Sequence, residues 1–163
     1  MKEVPVTSRK HPGLVALVDD NQYEELSSYA WSLDGSGYPQ RSIKTSKGWR
    51  PIRMHRHILG LIGRQGADHW NLNKLDNQIN NLRRASQKQN NRNGGIRRNN
   101  SSGYKGVTYN RKRHVWQAYI TADLKHLYLG AFSDAREAAL AYNVAATLHH
   151  GEFARLNEVP DGR

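Results

Sequence analysis

Asp68 and His69 stand side by side in the stretch 68–90, which is the densest group of possible metal ligands and proton-transfer groups in the chain. Hydrolysis of a phosphodiester needs a water nucleophile, neutralised charge at the phosphate and a stabilised leaving oxygen. A histidine can take the proton of the water near neutral pH, and a divalent cation with oxygen ligands supplies the electrostatics. The residue types in this stretch therefore fit a nuclease centre.

The oxygen-bearing side chains of this stretch also allow two other interpretations. Asp68, Asn71, Asn73 and Asp76 could line a calcium loop, but the EF-hand pattern fails because Trp70 fills the third position and the required glycine and final glutamate are missing. Asp and Asn also shape turns, which is their commonest use. The residues alone leave catalysis and turn formation open.

The elements around these residues read as a strand, a loop, a second strand and a helix. The predicted bounds are a strand at 67–70, a loop at 71–75, a strand at 82–85 and a helix through 87–93 that Ser86 caps. Such a unit is too small to be stable alone. We expect it to lean on the N-terminal region.

The charge of the chain favours a polyanionic partner. The 163 residues carry a formal net charge of +11, and a basic surface binds nucleic acid through phosphate neutralisation and counterion release. No acidic residue lies between Asp76 and Asp123, and this interval holds ten cations: Arg83, Arg84, Lys88, Arg92, Arg97, Arg98, Lys105, Arg111, Lys112 and Arg113. The interval predicts a nucleic-acid-binding surface, although a run of like charges can also form a solvated face.

The composition also limits the place of action and the metal. The chain has no long apolar run and no signal-peptide pattern, so we expect an intracellular, cytoplasmic protein rather than one bound to a membrane. Cysteine is absent, which removes disulfides and thiolate zinc sites. A metal at residues 68–90 must have oxygen or imidazole ligands, so Mg²⁺ or Mn²⁺ is expected and structural zinc is not.

The N-terminal third reads as β-rich. Residues 1–13 are expected to be a loosely attached start, followed by a strand at 14–18 and a helix near 21–29. Two more strands are predicted at 38–43 and 50–54. His55 and His57 would face one way on a strand and could touch a phosphate, although packed histidines are commoner.

The last third has a different pattern. The sequence RNGGIRRNNSSG at 92–103 has the composition of a flexible linker. Residues 104–109, 115–121 and 126–131 predict a three-stranded antiparallel sheet, and Ser133 would cap an amphipathic helix with an alanine-rich face. Together these elements predict the α+β class, with one sheet face free for a partner.

The motif residues of the central stretch resemble those of HNH homing endonucleases of phages and mobile introns. The matching elements are Asp68-His69-x-Asn71, Asp76-Asn77, Asn81-Leu82-Arg83 and Gln89-Asn90, in the His-Asn-Asn variant of the motif. The resemblance implies a ββα-metal fold. It also implies that His69 is the general base, that Asn81 orients its imidazole, and that Asp68 and Asn90 ligate one divalent ion at the scissile phosphate and the leaving 3′ oxygen.

The C-terminal third resembles the DNA-binding domain of the plant apetala-two and ethylene-response-factor type. The matching segments are Ser102–Val107, Trp116–Ala118, Tyr128–Phe132, Glu137–Ala139, Ala141-Tyr142 and Gly151. In that family the sheet enters the major groove. The resemblance implies that five residues face DNA: Lys105, Thr108, Tyr119, Thr121 and Tyr128.

The sequence as a whole predicts a metal-dependent DNA endonuclease that acts on duplex DNA as a monomer. The predicted domains are a β-rich extension at 1–60, an HNH core at 61–93, a basic flexible linker at 94–102 and an apetala-two-like domain at 103–158. A DNA-binding regulator without cleavage activity is the main alternative. RNA binding is a third one.

Overall fold

The computed structural model describes residues 1–160 and confirms the α+β class. The chain divides into two compact units, Met1–Gln87 and a second one from Lys88 onward. Within the described residues, no helix is long and apolar enough to span a membrane.

The first unit contains a mixed five-stranded sheet in the order β2-β1-β3-β4-β5. Its strands are β1 (Lys2–Thr7), β2 (Val15–Val18), β3 (Trp31–Leu33), β4 (Pro39–Thr45) and β5 (Gly48–Arg53). β1 pairs in parallel with β3, and the other neighbours are antiparallel. Two helices, α1 (Asp20–Ser27) and α2 (Met54–Ile58), accompany this sheet.

The start of the chain is part of the sheet, so the expectation of a loosely attached start is wrong. Val4 and Val6 are buried at alternate positions of β1, in one cluster with Trp31, Leu26 and Met54. An alternating strand buries one face in this way. The alternation covers only two residues on either side of Pro5, which is why the sequence pattern was too short to predict a strand.

His55 and His57 lie on α2, so the prediction that they sit on a strand is also wrong. Met54 and Ile58 are four residues apart and both pack on the core of the first unit. Residues with that spacing share one face of a helix. Helical packing of this pair therefore prevails over continuation of β5.

The central stretch forms the predicted strand, loop, strand and helix. β6 (Ala67–His69) pairs antiparallel with β7 (Leu82–Arg84), and α3 (Gln87–Asn93) follows. The connection between the two strands, residues 70–81, is called the asparagine loop below and ends in a single 3-10 turn, Ile79–Asn81. β6 ends one residue before the predicted end of the strand, so the connection begins at residue 70 instead of 71.

The second unit is a three-stranded antiparallel sheet packed on one long helix, as predicted. The strands β8 (Val107–Asn110), β9 (Val115–Ala122) and β10 (Lys125–Phe132) lie in the order β10-β9-β8. The helix α4 (Ala135–His150) buries Ala138, Ala139, Ala145 and Ala146. Its N-cap is Asp134, whose side chain accepts a hydrogen bond from the Arg136 backbone, and not the predicted Ser133.

Gly106 permits a close approach of α4 to the chain before β8. Gly106 has a φ of 77°, and a Cβ at this position would stand 2.1 Å from Cδ2 of Tyr142. A side chain fits neither this conformation nor this space. Gly106 therefore fixes how the start of the sheet meets the helix.

Candidate active site

The hairpin of β6 and β7 buries both residues of the Asp68-His69 pair. Asp68 is 2% exposed and His69 is 5% exposed. Asp68 lies opposite Arg83 and His69 lies opposite Leu82. Because neighbours on a strand point to opposite faces, the carboxylate and the imidazole leave β6 in different directions.

The Asp68 carboxylate is paired with a cation. Arg83 donates from Nε and from Nη2 to Oδ2 of Asp68, at 2.9 and 2.7 Å. An ionised carboxylate is stable in a buried position when a guanidinium compensates its charge. Arg83 was predicted to touch DNA, and the structure places its guanidinium on this carboxylate.

The asparagine loop is shaped by its own side chains. Asn71 donates through Nδ2 to Oδ2 of Asp76 at 2.7 Å, and its Oδ1 accepts from the backbone N–H of Asn73 at 2.8 Å. Oδ1 of Asn73 in turn accepts from the N–H of Leu75 at 3.1 Å. These residues form the turns that the sequence left as one of its alternatives.

Asn81 closes this loop across its base. Its Oδ1 accepts from the N–H of Asn71 at 3.0 Å, and its Nδ2 donates to the carbonyl of Asp76 at 2.7 Å. Both bonds go to the backbone, so an influence of Asn81 on the His69 imidazole would act through the loop. The orienting role of Asn81 stays a prediction.

β2 and the residues just after it hold the far side of the loop. The N–H of Leu17 donates to the carbonyl of Leu75, and the N–H of Asn77 donates to the carbonyl of Leu17, each at 2.8 Å. Oδ2 of Asp19 accepts from the N–H of Ile79 at 2.7 Å. The N-terminal sheet therefore positions Asn77.

Asn77 is the side chain that the structure places on the His69 imidazole. It is fully buried, and its Oδ1 lies 3.4 Å from Nε2 of His69. Its Nδ2 donates to the carbonyl of Lys74 at 3.2 Å, which leaves Oδ1 to face the ring. Oδ1 can only accept, so Nε2 carries the hydrogen and Nδ1 keeps the lone pair.

Two more aromatic rings surround His69. The His55 ring lies 5.0 Å from the His69 ring at an interplanar angle of 85°, and the Tyr38 ring lies 5.7 Å away. Burial lowers the pKa of His55 to about 3, and the charges of His69 and Arg53 add to the effect. Burial also lowers the pKa of His69, while the hydrogen bond to Asn77 and the charge of Asp68 act in the opposite direction. Both imidazoles are therefore neutral near pH 7.

The predicted metal ligands do not share one compact unit. Asp68 belongs to the first unit, while Asn90 lies on α3 in the part that groups with the second unit. Within residues 1–160, no group of three or more His, Asp or Glu residues could hold a metal ion. The predicted donors are one carboxylate and one amide, a hard-oxygen set that suits Mg²⁺ with water and phosphate in the remaining positions.

Several predicted DNA contacts of α3 and the following segment already have protein partners. Lys88 and Arg92 pair with Asp123 at 3.0 and 3.6 Å. Lys105 donates from Nζ to the carbonyls of Arg92 and Gly94 at 2.6 and 2.5 Å. Burial lowers the pKa of Lys105 to about 8, with a further contribution from Arg155.

The remaining predicted cations are exposed to solvent or, in the case of Arg84, bonded within the first unit. Arg84 donates to the carbonyl of Leu59 at 2.7 Å. Four arginines are exposed: Arg97, Arg98, Arg111 and Arg113. These four are available to a phosphate backbone.

Four predicted DNA contacts share the sheet face opposite α4. Thr108 lies opposite Gln117 and Tyr128 lies opposite Tyr119, and alternation places Thr121 on the same face. The Tyr119 ring stacks on His126 at 5.0 Å and 9°. This face presents hydroxyls, amides and aromatic rings, and its members Gln117 and His126 were not predicted.

The residues that the prediction missed near His69 are Tyr38, His55 and Asn77. Asn77 had a signal, because it belongs to the Asp76-Asn77 element of the motif. Tyr38 had none, and His55 was considered only as a possible phosphate contact. The two residues lie 31 and 14 residues before His69 in the sequence, just before β4 and on α2. Only the tertiary fold brings their rings to that of His69.

The chain is similar to proteins of two kinds. It is 33% identical over 157 residues, 90% of this chain and 76% of the relative, to an uncharacterized HNH endonuclease of Acanthamoeba polyphaga mimivirus. It is 33% identical over 89 residues to protein 3.8 of Escherichia phage T7, covering 55% of this chain and 73% of that protein. No protein-family model matches the sequence.

A second group of relatives matches a shorter part of the chain. The chain is 42% identical over 62 residues, 38% of its length, to the AP2-like ethylene-responsive transcription factor TOE2 of Arabidopsis thaliana, of which the match covers 13%. The hairpin with Asp68, His69 and Asn81 and the similarity over 90% of the chain point to the same family. The chain belongs to the HNH endonuclease family and carries an AP2-like DNA-binding region.

Proposed function

We propose that the chain is a metal-dependent endonuclease that hydrolyses phosphodiester bonds in duplex DNA. The observation that carries the proposal is the His69 imidazole, which is buried, neutral and held by Asn77 one residue away from the buried Asp68 carboxylate. A base in that state can accept a proton at neutral pH. The mimivirus relative supports the same class of reaction.

His69 acts as the general base that takes the proton of the attacking water. Oδ1 of Asn77 lies 3.4 Å from its Nε2. Asn81 keeps the asparagine loop closed, and the loop presents Asn77 to the ring. The residues from 70 to 81 thus fix the tautomer and the direction of the base.

Asp68 and Asn90 would hold one divalent cation, Mg²⁺ or Mn²⁺. When bound, such an ion neutralises charge on the phosphate and on the leaving 3′ oxygen. The oxygen donors fit this ion, and Arg83 pairs with the buried Asp68 carboxylate at 2.7 Å. The chain has no cysteine, so a thiolate zinc site has no ligands here.

The C-terminal part would hold the DNA. The support is the similarity to plant AP2-like factors and the sheet face with Thr108, Tyr119, Thr121 and Tyr128. A β-sheet can read base edges in the major groove, and the exposed arginines would bind phosphates. Lys88 and Arg92 would contribute charge as well as structure, and Lys105 would contribute through the structure of this region.

The proposed domains follow the sequence prediction, with the HNH core at residues 61–93 in the ββα-metal arrangement and the AP2-like region at 103–158. The protein would act as a monomer on its target. The similarity to a phage T7 protein supports a phage-encoded enzyme that acts in the cytoplasm of a bacterial host.

A DNA-binding regulator without cleavage activity is the second candidate, because several relatives of the last third are transcription factors. Incubation of supercoiled plasmid and of phage genomic DNA with Mg²⁺ separates the two functions. The proposal expects cuts with 3′-hydroxyl and 5′-phosphate ends, which a ligase can rejoin. Intact DNA with Mg²⁺ and with Mn²⁺ from pH 6 to 9, under conditions where the protein binds DNA, favours the regulator.

A further inference from the structure

His55 is a buried imidazole that has no role in the proposed cleavage reaction as described above. It is 5% exposed, and its Nδ1 is buried without a hydrogen-bond partner among the described residues. A buried polar atom without a partner lowers stability, so a histidine at this position calls for an explanation. The reason lies in what the ring touches.

The His55 ring contacts the two other rings of the site. Its centroid lies 5.0 Å from that of His69, nearly perpendicular at 85°, and 5.1 Å from that of Tyr38. Tyr38 and His69 are themselves 5.7 Å apart. Edge-to-face pairs at these distances attract one another and define the relative orientation of the rings. The three rings thus form one cluster, which we call the ring cluster.

The bond between Asn77 and His69 is a long one. Oδ1 of Asn77 lies 3.4 Å from Nε2 of His69, beyond the usual N–H···O distance. The rings of His55 and Tyr38 occupy the space beside the imidazole and so limit its rotation. A base that drifts by about 1 Å from its working position can lose about 100-fold in rate.

We propose that His55 and Tyr38 are positioning residues that fix the orientation of the His69 imidazole. The inference rests on the proposed endonuclease function and extends it to the N-terminal extension. Tyr38 immediately precedes β4 and His55 lies on α2, so this extension builds one side of the surroundings of His69. His55 is neutral near pH 7, and for this reason does not oppose a proton on His69.

His57 provides a matched control on the same short helix. Its ring packs against Tyr29 and Trp31 at 5.9 and 6.3 Å, and its Nε2 lies 2.8 Å from Oε1 of Glu25. Replacement of His57 removes aromatic contacts from the same core but none from His69. A general loss of stability would affect His55→Ala and His57→Ala alike.

The first measurement is cleavage of supercoiled plasmid by the full chain with Mg²⁺, with turnover and KM determined separately. We expect His55→Ala to lower kcat about 10- to 100-fold and to leave KM within about threefold. His55→Phe, which keeps a ring beside His69, should recover most of the turnover. His57→Ala should keep kcat within about twofold of the wild type.

The second measurement does not depend on activity. Long-range ¹H–¹⁵N spectra of the histidine rings report the tautomer and the mobility of the His69 imidazole. The wild type and His55→Phe should show one Nε2–H form, and His55→Ala should show an averaged one. If His55→Ala does not fold, Tyr38→Ala and Tyr38→Phe replace the pair, with loss expected for alanine and recovery for phenylalanine.

The two measurements separate the two claims. Unchanged His69 signals in the alanine variants overturn the positioning role, as do equal kcat losses in His55→Ala and His57→Ala. A phenylalanine variant as slow as the alanine variant overturns it too. Averaged His69 signals in an alanine variant of a chain that cuts no DNA support the positioning role and contradict the endonuclease function alone.

Discussion

Asn77 is the residue whose contribution to the chemistry is easiest to isolate. It contacts Nε2 of His69 directly, whereas Asn81 reaches only the backbone of the loop. Asn77→Ala should therefore reduce turnover about tenfold or more while DNA affinity stays the same. Single-turnover cleavage and equilibrium binding on one DNA fragment measure both quantities.

Asn81→Ala provides the comparison for this prediction. It removes two side-chain bonds to part-buried backbone groups of the loop, so it should lower the free energy of unfolding by about 1–3 kcal/mol as well as the turnover. An Asn77→Ala variant with wild-type turnover would show that its bond to His69 has no role in the reaction.

The neutral His55 makes stability depend on pH. Its pKa is about 3 in the folded chain and 6.5 in the reference state, so below pH 6.5 the unfolded chain binds a proton that the folded chain does not. Stability is complete above pH 6.5 and falls as the pH drops towards 3, by on the order of a few kcal/mol. Urea denaturation of the wild type and His55→Phe from pH 7 to pH 4 measures the effect. Equal slopes in both proteins would contradict it.

At the scale of elements, the asparagine loop depends on Asp19 just after β2. Oδ2 of Asp19 accepts from the N–H of Ile79. Asp19 is the N-cap residue of α1, but its carboxylate makes no capping hydrogen bond to the backbone of that helix. Asp19→Ala should loosen the loop that carries Asn77 and lower both the unfolding temperature and the turnover. Thermal unfolding and plasmid cleavage give the two values.

The adjacent Asp20 is the control for this variant. Its carboxylate is exposed and pairs with the N-terminal ammonium, away from the loop. Asp20→Ala should leave turnover unchanged. Equal effects of the two substitutions would argue against a role of Asp19 in holding the loop.

Lys105 joins α3 to the chain that leads into β8. Its ammonium lies on the carbonyls of Arg92 and Gly94 at the end of α3, a favourable position for a cation. Lys105→Met should lower stability by about 1–3 kcal/mol and leave the salt dependence of DNA binding unchanged. Denaturant unfolding and binding titrations at several salt concentrations test this.

Lys112, exposed in the turn between β8 and β9, is the matched control. Lys112→Met should leave stability unchanged. A fall of about one in the salt slope for Lys105→Met would instead support the phosphate contact that the resemblance to plant domains implies.

At the scale of the molecule, the sequence predicted what local patterns encode. Residue types and spacing identified Asp68, His69 and the hairpin around them, and alternation identified the sheet of the second unit. The alanine-rich face of α4 also followed from its helical period. Each of these features depends on residues that are close together in the chain.

The features that the sequence did not predict depend on distant contacts. The ring cluster needs β4, α2 and β6 to meet, and the backbone bonds between Leu17 and residues 75–77 need β2 to reach the loop. The pairing of Arg83 with Asp68 follows from the register of the hairpin, which residue types alone do not give. Tertiary packing, and not local propensity, determines the surroundings of His69.

The central claim is that His69 is the base of a DNA-cutting centre, and one substitution tests it most directly. Wild-type protein and His69→Ala are compared for cleavage of the same DNA fragment with Mg²⁺ at saturating protein, with binding measured in parallel. Removal of a general base costs about 100- to 10,000-fold in rate. We predict a loss of this size with unchanged DNA affinity. Equal cleavage rates for the two proteins would contradict the account.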